Sequence, residues 1–78
     1  MNEEELEKEF KINAVAKQIS DKNLDTKEAQ ERNAGVGWDI SGPYELPNGE
    51  LKEIFFPQCR LSNDELKEAI FRANKLKS

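Results

Sequence analysis

The segment Val36–Leu66, VGWDISGPYELPNGELKEIFFPQCRLSNDEL, holds a β-hairpin, a strand exit and a capped helix start. Val36, Trp38 and Ile40 alternate with Gly37, Asp39 and Ser41, the period of a half-buried strand. Gly42-Pro43 interrupts this pattern and Tyr44-Glu45-Leu46 resumes it. Pro47-Asn48-Gly49 then reads as a three-residue hairpin loop: proline sets φ at the first corner and glycine takes the left-handed position. With that turn, residues whose numbers sum to 96 lie opposite one another, so Tyr44 faces Lys52, Gly42 faces Ile54 and Ile40 faces Phe56. One face of the ribbon then carries Trp38, Ile40, Tyr44, Leu46, Ile54 and Phe56, with the Lys52 stem crossing Tyr44. The other carries Asp39, Ser41, Pro43, Glu45, Leu51, Glu53 and Phe55. A one-residue slip would exchange the faces, so the pattern itself supports the register and assigns the first face to the core. Pro43 marks an edge position, a bulge or a bend, because proline cannot donate to the ladder.

Pro57 is expected to end the second strand. Leu61-Ser62-Asn63-Asp64-Glu65-Leu66 then starts a helix: Ser62 caps, Glu65 returns the bond, and Leu61 staples to Leu66. That helix should run to about Lys75, with Leu66, Ala69, Ile70, Ala73 and Leu76 on one stripe and Phe71 well off it.

Upstream, Asn2 caps a helix whose first turn is Glu3-Glu4-Glu5, negative charge where the helix dipole favours it. This helix should reach about Ile19 and give way to a loop at Ser20–Asn23. Ile12, Val15, Ala16 and Ile19 cluster on one side, whereas Leu6 and Phe10 lie away from them. Either the helix is sandwiched between two surfaces or it breaks near Asn13. Asp25 and Glu28 form a capping box for a short helix or ordered turn at about 26–33, with Gly35 as its left-handed terminator and little to bury.

The fold class expected is therefore α+β: an N-terminal helix, a short helix or turn, an antiparallel β-hairpin, and a C-terminal helix packed on the hairpin. Seventy-eight residues make a single small domain, 1–78, with residues 1–11 an acidic leader open to fraying. A chain this short buries only about 60% of its unfolded surface. Because hydrophobic residues are 36% of the chain and charged residues another 36%, few apolar side chains are left over once a core is built.

Composition narrows the chemistry. There is no histidine, which removes the commonest general base and metal ligand together. Cys59 is the only cysteine; it can form neither a Cys-His pair nor a zinc site, and reads as a packing residue at the strand-to-helix corner. The carboxylates at helix starts are explained by capping. Gly35-Val36-Gly37 follows a helix and precedes a strand, the reverse of a phosphate-cradling loop. No enzyme activity, cofactor, metal or small-molecule substrate is expected. One thiol and no membrane-length apolar run fit a cytoplasmic protein.

Binding is what remains. Residues 1–10 hold five Glu and one Lys, net −4, and the rest of the chain is neutral, so the acid is local. Arg60, Lys67, Arg72, Lys75 and Lys77 crowd the last nineteen residues and offer a nucleic-acid alternative, disfavoured by the acidic residues in the same helix and the chain's net charge of −4. The leading expectation is a non-catalytic protein-binding module, a regulator, inhibitor or adaptor, whose partner is another protein or a second copy. Its candidate contacts are Leu51, Phe55, Phe71, Phe10 and Leu6, five apolar residues off the core faces, with strand addition at an open ribbon edge as one mode. The competing structural explanation is that the N-terminal helix packs across the outer hairpin face and covers them.

Overall fold

The computed structural model describes residues 2–78. Helix α1 spans Glu3–Asp21 without a break at Asn13, so the sandwiched alternative holds. Asn2 Oδ1 accepts from the Glu5 N–H at 2.9 Å, as its cap position requires. The helix runs two residues beyond Ile19, and the expected loop is instead a closing motif. Asn23 adopts φ 53°, the Asn23 N–H donates to Ser20 O at 3.1 Å, and the Leu24 N–H donates to Ile19 O at 3.0 Å. This pair of bonds is a Schellman closure with asparagine in the left-handed place, and Leu24 packs on the core beside it. Asn23→Ala should cost about 1 kcal/mol of unfolding free energy, since alanine resists positive φ, while Asn23→Gly should cost nothing measurable by thermal denaturation.

Helix α2, Thr26–Ala34, opens with the expected capping box: Glu28 N–H to Asp25 Oδ1 at 2.8 Å and Asp25 N–H to Glu28 Oε1 at 3.0 Å. Its exit differs from the sequence expectation. Gly35 has φ −90°, and the left-handed residue is Gly37 at φ 77°. The cause lies across the fold, where Gly37 is pressed against the end of the second strand. A Cβ on Gly37 would stand 2.8 Å from the Gln58 carbonyl carbon and oxygen.

Strands β1, Trp38–Glu45, and β2, Leu51–Cys59, form the antiparallel hairpin. The register is the one the turn implies: Ile40 pairs with Phe56, Gly42 with Ile54 and Tyr44 with Lys52. The Leu46 N–H donates to Glu50 O at 2.7 Å, the Gly49 N–H donates to Leu46 O at 2.9 Å, and Gly49 has φ 89°. Two details depart from expectation. The strand does not stop at Pro57; it continues to Cys59, because the absent N–H of Pro57 falls on the free edge and removes no ladder bond. Beyond it the register shifts, so Trp38 pairs with Cys59. Gln58 takes φ 55° in this bulge, and its N–H is held by Asp39 Oδ1 at 3.0 Å.

Helix α3 spans Asn63–Lys77. Ser62 Oγ accepts from the Glu65 N–H at 3.2 Å and Glu65 Oε1 accepts from the Ser62 N–H at 2.8 Å. Ser62→Ala should lower stability by about 1 kcal/mol, readable in a urea titration. The helix contributes Leu66, Ala69 and Ala73 to a core shared with Trp38 and Ile40 of the hairpin and Ile12, Val15, Ala16 and Ile19 of α1. It runs parallel to α1, for Arg72 meets Glu9 and Asn13 while Lys77 reaches Leu24 near the far end. The expected stripe fails at its last member: Leu76 is 60% exposed. Along the groove beside it α1 offers Asn13, Ala16, Lys17, Ser20 and Asp21, too small or too polar to close over a leucine.

Asn33 joins three elements at the buried centre. Its Oδ1 accepts from Trp38 Nε1 and from the Leu61 N–H, both at 2.9 Å, and its Nδ2 donates to Leu61 O at 3.0 Å. Helix α2, which looked to have little to bury, therefore supplies the polar tie between the start of β1 and the entry to α3. The Arg32 guanidinium covers the Trp38 ring at 5.5 Å.

Candidate functional site

The even-numbered side chains of the hairpin turn inward, and α1 lies on that side. The Phe10 ring packs on Tyr44, centroid to centroid 5.9 Å, in the space that Gly42 leaves open. Glu3 Oε1 receives Lys52 Nζ at 2.6 Å and the Tyr44 hydroxyl at 3.4 Å. This arrangement overturns the idea that α1 covers the outer hairpin face; α1 takes the inner one because that is where Trp38, Ile40, Tyr44 and Ile54 are.

The outer face is consequently bare. Leu51 is 72% exposed and Phe55 is 68% exposed, on the same side of β2 with Glu53 between them. Asp39, Glu45 and Glu53 surround them, all exposed, together with Pro43 and Pro57. Leucine and phenylalanine left this open forgo about 1.5–3 kcal/mol each of burial, which a covering surface would recover.

The other proposed contact residues separate. Phe10 and Leu6 are half-buried, and Phe10 packs against the core. Phe71 is 55% exposed on α3, with the Lys75 ammonium 4.6 Å from its ring centre. Leu51 and Phe55 are the pair the fold brings onto one surface.

The five basic residues of the nucleic-acid alternative are mostly engaged within the chain. Arg72 forks onto Glu9 at 2.8 and 3.1 Å, and also donates to Asn13 Oδ1 at 2.8 Å. Arg60 donates to the Gly35 carbonyl, and Lys77 donates to the Leu24 carbonyl at 3.4 Å. Lys75 lies over Phe71, while Lys67 borders a hollow between α2 and α3.

Electrostatics in the N-terminal helix are structural. The Lys52 ammonium bonded to Glu3 holds its carboxyl below the usual value, and the Arg72 guanidinium does the same for Glu9. Both groups have folded pKa values depressed from the ordinary one, so their contribution is present above the unfolded-state value and is lost as pH falls through the folded values. Unfolding free energy should therefore decline on acidification below the ordinary Glu value of 4.5. Glu9→Gln should flatten that decline in a pH series of denaturant titrations. Burial pushes the Tyr44 hydroxyl up, and burial likewise raises the half-buried Cys59 thiol, which packs against the core as expected of a corner residue.

A groove of about 660 Å³ runs between α1 and α3, lined by Ala16, Lys17, Ser20, Arg72, Lys75 and Leu76 among others. It carries no nucleophile paired with a base. Among the described residues no group of three or more His, Cys, Asp or Glu side chains is placed to hold a metal ion, and no helix is long and apolar enough to cross a membrane. Comparison with known proteins adds nothing to this geometry, since no family model, curated protein or solved structure matches the chain.

Proposed function

We propose that this chain is a small non-catalytic protein-binding module, a regulator, inhibitor or adaptor, that acts through the outer face of its hairpin. The observation that carries this reading is the joint exposure of Leu51 and Phe55 on one strand face, in a chain with few apolar residues beyond its core. Large apolar side chains left open together on one face of a small domain mark a place that another surface covers. Its lone, half-buried thiol supports a reducing, cytoplasmic setting.

Leu51→Ser with Phe55→Ser tests the reading. Both side chains are exposed, so the double variant should unfold within about 0.5 kcal/mol of the parent. It should nevertheless lose partner proteins that the parent captures from its source cells. A large loss of stability, or unchanged capture, would overturn the assignment. Phe71→Ser, on a different element, measures what exposure alone contributes.

A further inference from the structure

The two edges of the ribbon are not equivalent. In an antiparallel pair, hydrogen-bonded and non-bonded residue pairs alternate, and the latter turn their N–H and C=O groups outward. The bond from Leu46 N–H to Glu50 O fixes the phase. Even-numbered residues bond across the hairpin, and odd-numbered ones face its free edges. On β1 those are Asp39, Ser41, Pro43 and Glu45. Pro43 has no N–H to offer, the Asp39 carbonyl already accepts from Gln18 Nε2 at 2.8 Å, and α1 packs along this strand. On β2 they are Leu51, Glu53, Phe55 and Pro57; Pro57 has no N–H to offer, and among the described residues the backbone groups of the other three have no partner outside the hairpin. The β1 edge is blunted at Asp39 and Pro43, whereas the β2 edge is open from Leu51 to Phe55 and closed only beyond that by Pro57, although open edges are ordinarily protected.

The open edge and the bare face belong to the same three residues. A strand laid along β2 would bond to their backbone and set its own side chains beside Leu51, Glu53 and Phe55. The charge of that face selects what fits. Asp39, Glu45 and Glu53 lie on it with no lysine or arginine, since Lys52 points to the inner side and is bonded to Glu3.

We propose that the free edge of β2 takes an extended basic segment of another protein as a third, antiparallel strand. The segment carries apolar side chains opposite Leu51 and Phe55 and a lysine or arginine opposite Glu53, hence the pattern apolar-x-basic-x-apolar. This mode rests on the reading of the outer face as a binding surface, and names its partner. A second copy fits less well: joining two β2 edges so that Leu51 meets Phe55 sets one Glu53 carboxylate directly opposite the other, and like charges across a strand pair repel.

The probe is a blocked nine-residue peptide with Val, Lys and Val at alternate central positions and Thr between them, titrated calorimetrically at low salt. Binding should slow amide exchange at Leu51, Glu53 and Phe55 by tenfold or more. Affinity should fall at least tenfold when the lysine is replaced by glutamate, and again when the backbone nitrogen of that lysine is methylated so that it cannot donate to the Glu53 carbonyl. In the protein, Glu53→Pro should abolish binding yet melt close to the parent, because the residue 53 N–H lies outside the hairpin's own ladder. The methylated peptide repeats that test without altering the protein. No binding, unchanged exchange at the three amides, or full affinity of the methylated peptide would overturn the proposal. A dimer in light scattering that Glu53→Pro dissolves would overturn it too, by giving the edge to a second copy. The outer-face reading falls separately, if Leu51→Ser with Phe55→Ser leaves capture unchanged or unfolds the protein.

Discussion

Asn33→Ala is expected to lower the unfolding free energy by about 3 kcal/mol, a large share of the roughly 4–12 kcal/mol that a chain of this length commands. The substitution strands three buried groups at once: the Trp38 indole N–H and both the N–H and C=O of Leu61. Each orphaned group costs about 1–3 kcal/mol, reduced where water can enter. A urea titration of Asn33→Ala measures the total. A double-mutant cycle with Trp38→Phe should show coupling of about 1 kcal/mol, because the indole bond counts only while both partners are present. Asn33→Asp gives a sharper check on the mechanism. It keeps the acceptor for Trp38 and Leu61 but points a buried carboxylate at the Leu61 carbonyl, so its folded pKa must rise. A raised carboxyl pKa means the penalty is full above that value and vanishes below the unfolded value of about 3.9. The deficit of Asn33→Asp relative to the parent should therefore shrink on acidification. A deficit independent of pH would show that Asn33 acts by shape alone.

Gly37→Ala should be comparably damaging, about 3 kcal/mol by thermal or chemical denaturation. Positive φ costs an alanine about 1–2 kcal/mol. The larger difficulty is that the new Cβ meets backbone, the carbonyls of Gln58 and Cys59 at 2.8–2.9 Å, and backbone cannot rotate aside as a side chain can. Relief requires the bulge at Gln58 to shift, which would loosen the Asp39 bond to the Gln58 N–H and the Trp38–Cys59 pairing. Gly35→Ala, two residues earlier, has an ordinary φ and a single contact at 3.1 Å to the Glu31 carbonyl, and should cost less than half as much. Equal losses at the two glycines would refute the assignment of Gly37 as the constrained position.

These two residues mark where reading the chain falls short. Asn33 gave no signal, because a polar residue in a short polar helix looks solvated. Its burial depends on Trp38, five residues on, and Leu61, twenty-eight residues on, converging from other elements. Gly35 was the reasonable choice for a left-handed terminator by its position after the helix, and Gly37 took that conformation because β2 ends against it. Asn23 was legible in type but not in role, since asparagine tolerates positive φ and sits where α1 needs a closing residue. Leu51 and Phe55 were placed on the outer face by register alone. Whether anything in the chain covers them was not readable there, for both faces of the ribbon carry apolar residues and either could have received α1.

Local pattern is enough for the individual elements: two capping boxes, the Pro47-Asn48-Gly49 turn, the register that follows from it, and hence the sorting of the hairpin into two faces. These depend on side-chain and backbone bonds spanning five residues or fewer, or on a two-residue period counted from one turn. Long-range packing sets the rest: α1 lies on the inner face, Asn33 holds three elements together, Gln18 closes the β1 edge while the β2 edge stays open from Leu51 to Phe55, and Leu76 finds no cover. Each of those outcomes depends on which surfaces meet. That is set by the total apolar area buried across distant segments, a quantity no local pattern contains.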